Sequence, residues 1–162
     1  MTQSKRIAQP QSAADKRAAE AELRMLIERY SPEHLQLIRA VRRSLRRRLP
    51  TTHEVVYEYR DFFVISYSPS GNGYEGVLGI RADGKGVRLY FNGGKDLPDP
   101  DELLQGSAQA RWMDLPSVST LSKRAVVTLL KEAIARSRVP FARTGRGSVV
   151  VRLTSAKKRR ER

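Results

Sequence analysis

The sequence predicts an α+β fold: an antiparallel sheet of five to six strands with helices packed on one face. Three observations predict it. Stretches rich in Ala, Glu, Arg and Leu open the chain. Segments dense in Val, Ile, Tyr and Phe follow, punctuated by glycine turns. A last stretch then returns to apolar residues at helical spacing. With 162 residues, 40% of them hydrophobic, the chain has material for one domain with a core. That domain is expected over 13–153, between a disordered N-terminus at 1–12 and a disordered basic tail at 154–162.

Each element has a local reason. Between Ser12 and Tyr30, Leu23, Leu26, Ile27 and Tyr30 recur at helical spacing. Ser31-Pro32-Glu33 restarts a helix, with Ser31 as N-cap, Pro32 in the first turn and Glu33 on the positive end. Leu35, Ile38, Val41, Leu45 and Leu49 keep to one side of it, and Pro50 ends it. Glu54–Arg60 and Phe62–Ser68 read as strands joined at Asp61. Glu75–Ala82 and Gly86–Asn92 read as a hairpin turning at Asp83-Gly84, a pair suited to positive φ. Asp99-Pro100-Asp101-Glu102 reads as the capped start of a short helix. Arg111–Leu115 reads as a strand and roughly 123–137 as a helix, with Val126, Val127, Leu130, Ala133 and Ile134 on its apolar face. Ser148–Leu153 reads as an edge strand.

The net charge of +14 is uneven. Residues 31–50 carry +5 and residues 121–162 carry +11, whereas 51–120 carry −4. A polyanionic partner would therefore meet the flanks. The strongest ligand signal is the arginine side of the second helix, Arg39, Arg42, Arg43, Arg46 and Arg47, together with Lys157, Lys158, Arg159 and Arg160 of the tail. The alternative is a set of solvated faces. Phosphate contacts give affinity without sequence choice. No base-reading module is visible, so any nucleic-acid binding is expected to be non-specific and salt-sensitive.

Several chemistries are absent from the sequence. There is no cysteine, which excludes disulfides, thiolate metal sites and cysteine catalysis. The two histidines, His34 and His53, are nineteen residues apart, and no metal ligand set is expected. The acidic group Asp96, Asp99, Asp101 and Glu102 is read as helix capping. No nucleophile elbow or phosphate loop occurs, and neither catalytic residues nor a cofactor are assigned. The N-terminus lacks an apolar signal core and no apolar run spans a membrane, so a cytoplasmic protein without a membrane partner is expected. Glu54, beside Tyr57 and Arg60, is a candidate for a shifted pKa or for a structural hydrogen bond. Tyr57 and Tyr59 share a strand face, as do Phe63 and Tyr67. Such aromatics either pack under helices or stack bases.

The stretch Arg88–Gly106 carries a strand ending in Phe91, then Gly94, Leu97, Asp99-Pro100, Leu103-Leu104 and Gly106. It resembles the signature of the YdhG-like family, a bacterial domain of unknown function. Glu54-Val-Val-Tyr57 resembles that family's upstream Glu and Tyr, and the likeness covers roughly 30–138. Ala108 and Gln109 stand where the family often has a second Gly and a Lys. The resemblance implies a YdhG-like or frataxin-like shape. Some members are described as iron chaperones, an activity that needs gathered carboxylates, whereas the helix at 32–48 holds six Arg and one Glu. The expected function is a non-enzymatic binding protein that meets nucleic acid or another polyanion. The alternatives are an iron chaperone-like metal carrier and a small-molecule pocket protein using Glu54, Tyr57 and Arg111.

Overall fold

The computed structural model describes residues 11–153. Helix α1 runs Ala13–Tyr30, α2 Leu35–Arg48 and α3 Arg124–Ala135. The strands are β1 His53–Glu58, β2 Phe63–Ser68, β3 Leu78–Asp83, β4 Gly86–Phe91, β5 Arg111–Asp114 and β6 Val149–Leu153. They form one six-stranded sheet in the order β5-β4-β3-β2-β1-β6. The class is α+β, as the sequence predicts. One pairing differs: β6 runs parallel to β1, because the chain crosses the helix layer through α3 before returning to that edge.

The sheet has two unlike faces. Side chains alternate along each strand, so the register aligns them in rows across the sheet. One row reads Val151, Val56, Ile65, Ile80, Leu89 and Met113. It is apolar throughout and packs with Leu23, Ile27, Ile38, Val41, Leu45, Val126 and Leu130 of the helices in a single core. Phe63, Tyr67 and Phe91 lie on this covered face and are fully buried. The other face has no helix in that core and carries Tyr57, Val64, Arg81, Arg88 and Tyr90. Tyr57 and Tyr59 are thus separated from Phe63 and Tyr67 by the thickness of the sheet.

Local differences from the sequence reading have tertiary causes. Gln11 and Ser12 belong to the fold: Ser12 and Asp15 form a reciprocal capping box on α1, and Gln11 donates to the Val149 carbonyl. Ser31 does not cap the next helix with its side chain. Its hydroxyl donates to the Asp83 carbonyl at 2.7 Å, and a 3₁₀ turn over Pro32–His34 precedes α2. The residues before β3 form a second 3₁₀ turn, Gly73–Glu75, capped by Asn72. The β3–β4 turn is centred on Gly84-Lys85, and its positive φ falls on the closing Gly86 at 151°, while the Asp83 carboxylate accepts from the N–H groups of Lys85 and Gly86.

The expected helix after Asp99 does not form. The Asp99 carboxylate does accept from backbone N–H groups, Leu103 at 2.9 Å and Leu104 at 2.8 Å. Glu102 then turns into the left-handed region at φ 53°, and Gln105 pairs with Trp112 in an antiparallel bridge. A helix would carry Gln105 away from that partner. At the other edge, Gly147 passes so close to β1 that a Cβ there would sit 1.6 Å from the Thr52 carbonyl oxygen.

Candidate functional site

Besides the buried Glu58, which accepts from Arg29 and Tyr30 of α1, two clusters hold the chemistry-bearing side chains, one on each face of the sheet. On the covered face, Glu54 projects from β1 under α2 with its side chain 2% exposed. Arg42 grips it with two bonds, Nε to Oε2 at 2.9 Å and Nη2 to Oε1 at 3.0 Å. Tyr67 donates to the same carboxylate at 2.9 Å. Arg42 also reaches Glu20 of α1 at 2.9 and 3.2 Å. Arg46 stands 3.6 Å from Glu54. Burial opposes charge on Arg42, but its bonds to Glu54 and Glu20 outweigh this and raise its pKa. Burial and the Glu54 charge push the Tyr67 phenol well above its ordinary value. The cluster is charge-balanced and hydrogen-bonded, so it serves to fasten α1 and α2 to β1.

This corrects the arginine side of α2 as a single binding surface. Arg42 is buried and committed to two carboxylates, and Arg46 leans toward Glu54. Amphipathic spacing places Arg42 at the boundary of the polar side, where a buried glutamate captures it. Arg39, Arg43 and Arg47 remain exposed and have no ion pair among the described residues. They lie on the outside of the helix layer. Arg48 donates to the Leu121 carbonyl. Lys157, Lys158, Arg159 and Arg160 lie outside the described residues.

The open face carries the second cluster. One row across it reads Arg152, Tyr57, Val64, Arg81, Arg88 and Asp114. The neighbouring row reads Val150, Val55, Ser66, Gly79, Tyr90 and Trp112. Arginines and aromatics are therefore interleaved on one surface. The Arg81 guanidinium lies 3.7 Å from the Phe62 ring centroid, and Phe62 stacks on Tyr59 at 4.6 Å. The Arg88 guanidinium lies 3.9 Å from the Trp112 ring centroid, with Tyr90 beside that ring. Burial pushes the Tyr59 phenol up from its ordinary value.

Between these stacks the face sinks into a depression of about 840 Å³. Its floor is Val64, Ser66 and Gly79. Gly79 keeps the floor low, since a Cβ there would meet the Ile65 carbonyl oxygen at 2.8 Å. Tyr57 lines one wall, and its hydroxyl accepts from the Gly73 N–H at 3.1 Å. That bond fixes the turn that presents Tyr74 to solvent, 93% exposed. Arg81 has no ion pair among the described residues, and its Nε has no hydrogen-bond partner there.

The proposed pocket group Glu54, Tyr57 and Arg111 is not assembled. Glu54 faces the helices, Tyr57 faces the open side, and Arg111 sits on the far edge strand with its Nε donating to the Ala108 carbonyl. Glu54 takes Arg42 as partner, whereas Arg60 is exposed beside Asp61. The signature residues have structural positions. Phe91 is buried in the core, Gly94 packs against Arg111, Leu97 is buried, and Leu103 and Leu104 pack on the core rim. Pro100 lies in the turn that Asp99 bonds across, and Gly106 lies against Trp112.

Sequence reasoning did not single out Arg81, Arg88, Arg152, Tyr90 or Trp112. Strand alternation is the signal that finds them: Arg88 and Tyr90 alternate with the buried Val87, Leu89 and Phe91. Among the described residues no group of three or more His, Asp or Glu side chains is placed to hold a metal ion. No helix among them is long and apolar enough to cross a membrane. The chain matches no family model, no curated protein and no solved structure.

Proposed function

We propose that this chain is a non-enzymatic binding protein for polyanions, nucleic acid foremost, and that its contact surface is the open face of the sheet. Arg81 carries the reading. It is held over Phe62 without a carboxylate partner among the described residues; its Nε is buried, so an anion would meet the guanidinium through its outer nitrogens. Arg88 and Arg152 extend the positive row, and Asp114, 3.8 Å from Arg88, is the acidic residue within it. Arg39, Arg43 and Arg47, on the opposite side of the molecule, add to the attracting field rather than to the contact. Membership of the YdhG-like family enters as a proposal on the Phe91–Gly106 motif and names no ligand.

The test is fluorescence anisotropy with a labelled single strand, a labelled duplex and labelled heparin, titrated from low to physiological salt. Binding that weakens steadily with salt is expected. About four phosphate contacts would give a log–log slope of about −3 on single strand. Absence of binding to all three polyanions at low salt overturns the reading.

A further inference from the structure

We infer that the polyanion is a single-stranded nucleic acid, and that the depression between Tyr57, Tyr74 and Tyr90 seats an unpaired base. The inference rests on the polyanion reading and adds to it the class of ligand and the place of contact.

Two features of the depression favour a flat ring over a plain charged chain, and a third serves the phosphates that come with it. The first is its floor. Gly79 and Ser66 lie side by side on neighbouring strands, so backbone and a small hydroxyl stand where large side chains stand elsewhere. The Ser66 hydroxyl is already committed, donating to the Gly73 carbonyl at 2.9 Å. A planar group can lie flat on such a surface.

The second is the walls. Tyr57, Tyr74 and Tyr90 line the depression, and each presents a π-face or edge. Tyr74 is the exposed one. Its turn is pinned by the Asn72 side chain accepting from the Tyr74 N–H at 3.0 Å, and by Ser70 donating to Glu75 at 2.6 Å. The anchored turn fixes where Tyr74 leaves the backbone, and the exposed ring is free to turn onto a ligand.

The third is charge. Arg81 lines the depression and also a second cleft of about 330 Å³ that holds Lys85 and Arg88. Asp83 and Asp114 line that cleft as well, so it is of mixed charge, and Arg81 is the cation shared by the two sites that a phosphate beside the seated base would meet. Duplex nucleic acid has no unpaired base to offer, and its phosphates alone would engage the row. Stacking on aromatic side chains is tolerant of base identity, because every base has a π-face. Selectivity for single strands without sequence choice follows.

The experiment compares three labelled ligands on the full chain at one moderate salt concentration. They are an oligothymidylate of about 12 nucleotides, within the site sizes of sheet-based binders, an abasic oligomer of the same length, and a duplex. One seated base predicts that the oligothymidylate binds roughly 5- to 150-fold tighter than the abasic oligomer. Tyr74→Ala is expected to remove most of that difference while leaving abasic binding unchanged. Tyr74 is exposed, so this variant keeps the fold, which thermal unfolding checks. Tyr90→Ala reports on the opposite wall.

Equal binding of the oligothymidylate and the abasic oligomer overturns the base site and leaves the polyanion reading standing. A base-dependent difference that survives both tyrosine variants overturns the location. Failure of all three ligands overturns both readings.

Discussion

Arg42 and Glu54 meet in a bidentate pair beneath α2, with Nε–Oε2 at 2.9 Å and Nη2–Oε1 at 3.0 Å. The same guanidinium holds Glu20, so one side chain ties α1, α2 and β1 together. Removing one member of a buried pair leaves the other charge desolvated and unpartnered. Arg42→Met is therefore expected to cost about 3–5 kcal/mol in urea unfolding. Tyr67→Phe removes one hydrogen bond to the carboxylate and is expected to cost about 1.5–3 kcal/mol. A loss under 1 kcal/mol for Arg42→Met would mean that Glu54 is solvated rather than paired.

That pair also shows what the sequence could and could not say. Strand and helix positions were legible because alternation and helical spacing are local patterns. The choice between a buried and an exposed arginine was not, because Arg42 and Arg43 are adjacent and chemically identical, and only Glu54 from a strand twelve residues on separates them. The two sheet faces were half legible. Tyr57 and Tyr59 were paired correctly, but which face met the helices depended on register across five strand pairs. The Asp99 segment failed for the same reason: its bonds are those of a cap, and the chain leaves the helical path to reach Trp112.

Two groups predict how stability changes with acidity. Burial lowers the His53 pKa from its ordinary 6.5, and Nδ1 accepts from the Ser148 N–H at 3.1 Å. The unfolded chain therefore takes up this proton first, so stability falls as pH drops from about 6.5 toward the folded value. For Glu20, burial raises the pKa, but the bonds and charge of Arg42 prevail and lower it from 4.5. Its contribution is present above 4.5 and is lost as pH falls through the lowered value. Urea midpoints measured down the pH scale should show both declines. His53→Asn keeps an acceptor for Ser148 and should flatten only the first. An unchanged upper decline in that variant would exclude His53 as its source.

Asp99 offers a separate test of the segment between β4 and β5. Its carboxylate satisfies two backbone N–H groups, Leu103 and Leu104, whose side chains pack on the core rim. Asp99→Ala leaves both donors without that partner and is expected to cost about 1–3 kcal/mol. Asp99→Asn retains an acceptor and should recover roughly half. Hydrogen exchange would localise the effect, with faster exchange at Leu103 and Leu104 and across the Gln105–Trp112 bridge. Uniform loss of protection throughout the sheet would instead mean that the segment unfolds with the whole domain.

Salt dependence separates the two arginine sets. Arg81 lies on the proposed contact surface, whereas Arg39, Arg43 and Arg47 lie outside the helix layer. A residue that neutralises one phosphate contributes about −0.7 to the log–log slope on single strand. Arg81→Ala should make the slope shallower by about that amount and weaken binding at every salt concentration. Replacing Arg39, Arg43 and Arg47 together by Gln should slow association at low salt through a weaker field, while leaving the slope nearly unchanged, because those charges release no counterions from the contact. Stopped-flow association rates and equilibrium titrations on both variants read the two effects independently. A slope that moves with the helix triple and not with Arg81 would relocate the contact from the sheet to α2.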